Sequence, residues 1–273
     1  SDGSAWGAWS TVKAAHNSTT FTDTGLTAGT YYRYRVAATN QAGTSHASNA
    51  SASTRAATVP SAPAAPIAYV SGDREVTVTW VVPDSDGYAP ISSYELRRTT
   101  TQGLDQTVET FTMPATGAQM EVIETALTLG HTVAYQVAAT NAVGTGPFSE
   151  QTPNVRVTGL PATPPDVEAR PTSERRLRVS WGYATNGIGA VTAGYRIERQ
   201  VNTNGSWSAW ETIVADTGTT GRSYYDDTVA FGPHYRYRVA ALNAAGMSDY
   251  TAPSESARAI DPPRVPTNVR AEP

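Results

Sequence analysis

Apolar residues recur at every second position along much of the chain. Val76, Val78 and Trp80 alternate with Thr77 and Thr79, and Tyr32, Tyr34 and Val36 alternate with Arg33 and Arg35. Alternation in short runs rich in β-branched and aromatic residues predicts strands with one buried and one solvated face. The Gly, Asn, Asp and Pro clusters between these runs predict turns. No stretch carries the 3.6-residue spacing of an amphipathic helix, so an all-β chain is expected.

The pattern also restarts. Tyr32 to Asn40, Val133 to Asn141 and Tyr235 to Asn243 are three copies of one segment; Tyr34, Tyr135 and Tyr237 stand 101 and then 102 residues apart. Trp80 matches Trp181 and Tyr94 matches Tyr195 at the same step, while Trp6 and Trp9 match Trp207 and Trp210 two repeats on. Proline-rich joints recur at Pro60 to Pro66, Pro161 to Pro165 and Pro262 to Pro266. The period is too long for a solenoid unit and fits a complete small domain. The joints divide the chain into 1–57, 58–159, 160–261 and 262–273. About 100 residues of short strands without a helix predict a two-sheet sandwich.

These ordered landmarks resemble the fibronectin type III family. The resemblance implies tandem immunoglobulin-like β-sandwiches with Trp80 and Trp181 on strand B, Tyr94 and Tyr195 on strand C, and a tyrosine corner before strand F. Leu26, Gly29 and Tyr32 match the corner in the first repeat, and Val229, Gly232 and Tyr235 in the third. The second keeps Leu127 and Gly130 but has Val133 at the tyrosine position, which predicts a corner without its hydroxyl bond. On this alignment residues 1–57 carry only the later strands of a domain, including a strand G, and 262–273 the start of a further domain or a linker. Addition of Val265 to Ala271 to a neighbouring copy's first repeat would supply one of the missing strands.

Composition narrows the chemistry. A net charge of −4 and a pI near 5.6 argue against nucleic acid as the main partner. The lack of cysteine excludes disulfides and thiolate metal sites. No apolar run approaches the roughly 20 residues that span a bilayer, so no membrane insertion is expected. Lys13 is the one lysine among 20 basic residues, an arginine bias that reads as a GC-rich genome. His16, His46, His131 and His234 show no metal-ligand spacing, and no nucleophile elbow or phosphate loop occurs. Asp84-Ser85-Asp86-Gly87 begins like a calcium loop but lacks the later ligands. Three glycan acceptor sequons, at Asn17, Asn49 and Asn204, read as chance. No cofactor, metal or catalytic residue is expected.

The informative constellation is aromatic and basic. The first and third repeats carry Trp6-Gly7-Ala8-Trp9 and Trp207-Ser208-Ala209-Trp210, and the same two carry Arg33 with Arg35 and Arg236 with Arg238 on the outward side of strand F. Family topology places the tryptophan segments on strand C′, and Arg196 and Glu198 outward on strand C. A stacked ladder of Arg, Glu and Trp is therefore expected across one face of the third repeat. A spacing of three sends the two tryptophans of each pair to opposite faces of a regular strand. Tyr88 in the B–C loop, with Phe148 and Tyr250 in or just after the F–G loops, completes the candidate contact set with Trp6, Trp9, Trp207 and Trp210. The resemblance implies a non-catalytic array in a larger extracellular or virion-surface protein, a spacer or decoration of the bacteriophage-tail kind. Its partners would be other subunits of the assembly, or a host-surface glycan or protein. A spacer of a secreted polysaccharide-degrading enzyme and a bacterial adhesin are the alternatives.

Overall fold

The computed structural model describes residues 5–13, 17–172, 175–184, 192–260 and 270–271, and the described residues form strands and turns without a helix. The 262–269 portion of the last segment, with most of Val265 to Ala271, and His16 lie outside the described residues. The first repeat contains β1 (Tyr31–Tyr32), β2 (Thr39–Asn40), β3 (Gly43–Thr44) and β4 (Thr54–Arg55). The second contains β5 (Ile67–Gly72), β6 (Glu75–Val81), β7 (Ser93–Gln102), β8 (Asp105–Pro114), β9 (Gln119–Glu124), β10 (Thr132–Thr140) and β11 (Val155–Arg156). The third contains β12 (Glu168–Pro171), β13 (Leu177–Ser180), β14 (Gly194–Thr203), β15 (Ser206–Trp207), β16 (Glu211–Val214), β17 (Ser223–Asp226), β18 (His234–Asn243) and β19 (Gly246–Met247). Two compact units comprise 1–68, 78–122 and 134–153, and 69–77, 123–133 and 154–273; the dividing line passes through β5, β6, β9 and β10.

In the second unit, one sheet has the order β12-β13-β17 and the other β15-β14-β18-β19, with β16 also on β14. β14 and β18 pair antiparallel from Gly194↔Leu242 to Asn202↔His234. The alternating residues of each strand point to a shared interior. Leu177 and Val179 of β13 meet Tyr195 and Ile197 of β14 and Tyr235, Tyr237 and Val239 of β18 in one core. Trp181 stands edge-on to Tyr195, with ring centroids 5.0 Å apart. The chain from Ile67 to Arg156 repeats the arrangement, with sheets β5-β6-β9 and β11-β10-β7-β8. There Trp80 stands edge-on to Tyr94 at 5.7 Å. The fold is all-β and immunoglobulin-like.

The corner tyrosines close the turn into strand F. The Tyr235 hydroxyl accepts the Ala230 N–H at 2.8 Å and the Tyr32 hydroxyl accepts the Thr27 N–H at 3.0 Å. Val133 occupies the same place in the second repeat and is buried.

The segment after strand F departs from the expectation of a regular strand G. In the third repeat, Ser248, Thr251 and Ser254 each give their N–H to a carbonyl of β18, on Ala241, Val239 and Tyr237. Their hydroxyls accept the N–H groups of the same three residues at 2.9–3.1 Å. Three residues of this segment thus face every two of β18, a run of bulges in which hydroxyls replace carbonyls as acceptors. Ser149 and Thr152 hold Val137 and Tyr135 in the same way, and Ser45, Ser48 and Ser51 hold Ala38, Val36 and Tyr34.

In the second and third repeats an asparagine stands at the end of strand F. Asn141 Oδ1 accepts from Val143 and Gly144 while its Nδ2 donates to the Thr58 carbonyl at 2.7 Å. Asn243 does the same with Ala245, Gly246 and the Gly159 carbonyl, the last at 2.9 Å. Each side chain shapes its own F–G turn and grips the chain that enters its repeat.

Thr251→Val keeps the side-chain shape but leaves the buried Val239 N–H without an acceptor. We expect a loss of about 1–3 kcal/mol in urea unfolding followed by tryptophan fluorescence, and near-neutral behaviour for Thr251→Ser. Tyr235→Phe, which removes only the corner hydroxyl, should cost about 1 kcal/mol in the same measurement.

Candidate functional site

The aromatic and basic residues converge on one face of the third repeat. Alternation along β18 turns Arg236 and Arg238 away from the core that holds Tyr235, Tyr237 and Val239. The Arg236 guanidinium lies 4.2 Å from the Trp207 ring centre and 5.7 Å from Trp210. Arg238 lies 4.3 Å from Trp210 and 4.1 Å from Tyr250. The rings and guanidinium groups therefore alternate, Trp207, Arg236, Trp210, Arg238, Tyr250. Each exposed cation–π contact of this kind contributes about 0.5–1 kcal/mol.

Strand β14 holds the ladder from its other side. Gln200 Oε1 accepts from Arg236 Nε at 2.7 Å, and Gln200 Nε2 donates to the Ser208 carbonyl. Glu198 accepts two bonds from Arg238, at 2.9 and 2.6 Å, and further bonds from Tyr250 and Thr212. Arg196 stands 3.4 Å from the same carboxylate. Burial alone would raise the Glu198 carboxyl, but the hydrogen bonds from Tyr250, Arg238 and Thr212 outweigh it and hold the group below the usual carboxylate range.

In the first repeat Arg33 lies 4.2 Å from Trp6 and 5.3 Å from Trp9, and Arg35 lies 4.3 Å from Trp9. In both repeats the two tryptophans share the arginine face, which corrects the expectation of opposite faces. The regular strand ends at Trp207, and the chain resumes pairing with β14 only at Glu211. Between them Ser208 donates its N–H to the Val201 carbonyl and its hydroxyl accepts the Val201 N–H. This irregular step lets the chain pass three residues and return to the same side.

The loop-tip reading of the remaining aromatics changes as well. Tyr250 joins the ladder, and Phe148 lies under Arg97 at 3.6 Å, so both are covered by arginines of their own repeats. Tyr88 is half exposed and stacks on Arg55 at 4.3 Å. Asp86, in the Asp-rich turn, accepts the Tyr88 N–H, and its carbonyl accepts from Asn141. His46 and His234 are exposed and His131 is half-buried. Among the described residues no three His, Asp or Glu side chains gather as a metal site.

Asp226-Asp227 reads in the sequence as a solvated turn before the corner, but Asp226 is 0% exposed and belongs to a buried ion cluster. Arg199 points inward, in phase with Tyr195 and Ile197, and bonds to Asp226 at 2.8 Å, to Thr228 and to Glu211. Asp226 is fully buried and also accepts from Tyr237 at 2.9 Å. Burial would raise the Asp226 carboxyl, but the Thr228, Arg199 and Tyr237 bonds together hold it below the usual range. Burial and the Asp226 charge push the Tyr237 phenol far up. The available signal was a charged residue at an inward position: Arg98 stands in the same phase with Tyr94 and Leu96, and pairs with Glu109.

Comparison with known proteins agrees with this architecture. Residues 61–155 match the fibronectin type III domain family. The chain is 30% identical over 235 residues to Exoglucanase B of Cellulomonas fimi, an alignment that covers 84% of this chain and 20% of that protein. It is 28% identical over 246 residues to human Fibronectin type-III domain-containing protein 3A, covering 88% and 19%. The chain thus spans about a fifth of the length of these relatives. Among solved structures, the FN1–FN3 domains of chicken CNTN1 superpose with a TM-score of 0.51 at 19% identity, covering 84% of this chain and 77% of that one. The fold is that of fibronectin type III domains.

The ion cluster predicts an acid limb. Asp226 and Glu198 have folded-state values below their unfolded ones, so their contribution is complete above the ordinary carboxylate range, about pH 4, and is lost as pH falls through the lower folded values. Urea midpoints should therefore drop below about pH 4–5. Asp226→Asn should flatten part of that drop while costing about 1–3 kcal/mol at neutral pH, because Arg199 and Tyr237 lose the buried carboxylate they share and Arg199 keeps only Glu211 as an ion-pair partner.

Proposed function

We propose that this chain is a non-catalytic spacer within a larger extracellular protein. The observation that carries the reading is the state of the candidate contact residues. Trp207, Trp210, Phe148 and Tyr250, and likewise Trp6 and Trp9, have a ring covered by a guanidinium of the same repeat. In the third repeat the arginines are themselves held by Glu198 and Gln200. A sugar-stacking platform needs an open ring face; Trp9 and Trp210 each stand between two guanidinium groups and the other rings give one face to an arginine, which favours sheet cohesion over glycan stacking.

The similarity to Exoglucanase B of Cellulomonas fimi favours a secreted polysaccharide-degrading protein as the setting, with the chain holding its other parts apart. A spacer or decoration on a bacteriophage tail is the second reading, supported by the paired tryptophan segments and the arginine-for-lysine bias. Partners in either setting are neighbouring modules or subunits.

The test is retention of the purified chain on insoluble cellulose and in gels containing soluble β-glucan, beside its melting temperature. We expect no retention, and a melting temperature several degrees lower for Trp210→Ala, consistent with loss of about 1–2 kcal/mol of ladder contacts. Saturable retention that Trp210→Ala abolishes without a change in melting would overturn the spacer reading in favour of glycan binding.

A further inference from the structure

The outer face of the sheet β12-β13-β17 carries positive charge that its own strands do not neutralise. The arginines around it are engaged within the protein: Arg199 by Asp226, Arg176 by Asp227 and Arg170 by Glu168. Arg178 and Arg222 are exposed, and among the described residues no carboxylate, carbonyl or aromatic ring engages either guanidinium. Arg178 also stands directly opposite Arg170 in the register of β13 with β12, a placing of like charges that costs stability. Glu168, opposite Ser180, is already taken by Arg170 at 2.9 Å.

The two free arginines border one hollow. It has a volume of about 350 Å³ and is lined by Arg178, Ser180, Trp181, Arg222 and Ser223, a size at the lower end of small-molecule sites. Alternation along β13 puts Arg178 and Ser180 on the same face, and the register sets Ser223 of β17 beside Ser180. Past this pair Trp181 donates its N–H to the Arg222 carbonyl at 3.2 Å, which ties Arg222 to the end of β13. The Ser180 and Ser223 hydroxyls have no hydrogen-bond partner among the described residues. Trp181 is 5% exposed and stands edge-on to Tyr195, so this side of the hollow is backed by the packed core. The sandwich itself does not require a cation here. The second repeat has Thr77 and Thr79 at the positions of Arg178 and Ser180, and Thr77 is buried.

Unpaired cations and free hydroxyls around a hollow suit a compact oxyanion. We propose that this hollow binds a phosphate group, free or carried as a monoester. Such a group brings a charge of about −1.5 to −2 at neutral pH, which the two guanidinium groups match. Its oxygens accept from guanidinium N–H groups and serine hydroxyls, which have only donors or spare donors to give. A carboxylate would leave one arginine uncompensated. The site lies on the other sheet from the arginine–tryptophan ladder and stands independently of the spacer reading.

The experiment titrates the isotope-labelled full chain with inorganic phosphate and with phenyl phosphate at constant ionic strength, followed by NMR of the backbone amide and arginine Nε–H signals. We expect saturable shifts centred on Arg178, Ser180, Arg222 and Ser223, and an affinity weakened about tenfold or more by Arg178→Gln or by Arg222→Gln. Benzoate, which carries one charge on the same ring, should bind more weakly than phenyl phosphate. Both arginines are exposed, so their variants should keep the fold; Ser223→Ala, with a smaller weakening expected, is the third. Tighter binding of phenyl phosphate than of inorganic phosphate assigns the site to an ester, and equal binding assigns it to the ion; both support the site. Shifts that chloride reproduces at equal ionic strength, that benzoate matches, or that neither arginine variant weakens would overturn the proposal.

Discussion

Strand F must satisfy its backbone on both edges, and the way it does so governs the architecture of each repeat. One edge of β18 runs in regular register with β14, which aligns arginines with Glu198 and Gln200 on the outside and aromatic residues on the inside. The other edge meets a chain too irregular to offer carbonyls in step, and Ser248, Thr251 and Ser254 supply hydroxyl acceptors. A buried N–H without an acceptor costs about as much as several good surface contacts return. The hydroxyls at every third position are therefore a condition of the fold rather than a refinement of it.

The charged groups divide along the same strand pair. Outside, arginines lie between aromatic rings in contact with solvent, where each contact is small and the row as a whole stiffens the sheet. Inside, Arg199 and Asp226 form a pair whose desolvation is offset by Thr228, Tyr237 and Glu211. Such a pair adds little net stability over an apolar substitute but makes any single loss costly. It also specifies which side of β14 faces the core, since a one-residue slip would carry Glu198 inward.

Much of the fold could be read in advance because it is a matter of period. Alternation in Val76 to Trp80 and Tyr235 to Val239, restarted after about a hundred residues, dictates strands with one apolar face in successive repeats. The corner tyrosines were legible through the resemblance to the fibronectin type III pattern, which Leu26, Gly29 and Tyr32 and then Val229, Gly232 and Tyr235 follow. The placement of the tryptophans was not, because it depends on an irregular step at Ser208 that no spacing rule describes. Nor was the form of the last strand, although serine or threonine at positions 45, 48, 51 and 248, 251, 254 was its mark. The ion cluster stayed hidden because Arg199 and Glu211, on the paired strands β14 and β16, meet Asp226 of β17 from the opposite sheet, and only an arginine in phase with Tyr195 and Ile197 hinted at it.

The asparagine after strand F has a mechanical consequence. Asn141 and Asn243 each bind their own turn with one end of the amide and the entering chain with the other. Tension arriving along the entering chain thus meets this amide at Thr58 or Gly159, ahead of the proline-rich joint, and is shared with the end of strand F before it reaches the first strand. The joint itself is spared the first share of the load.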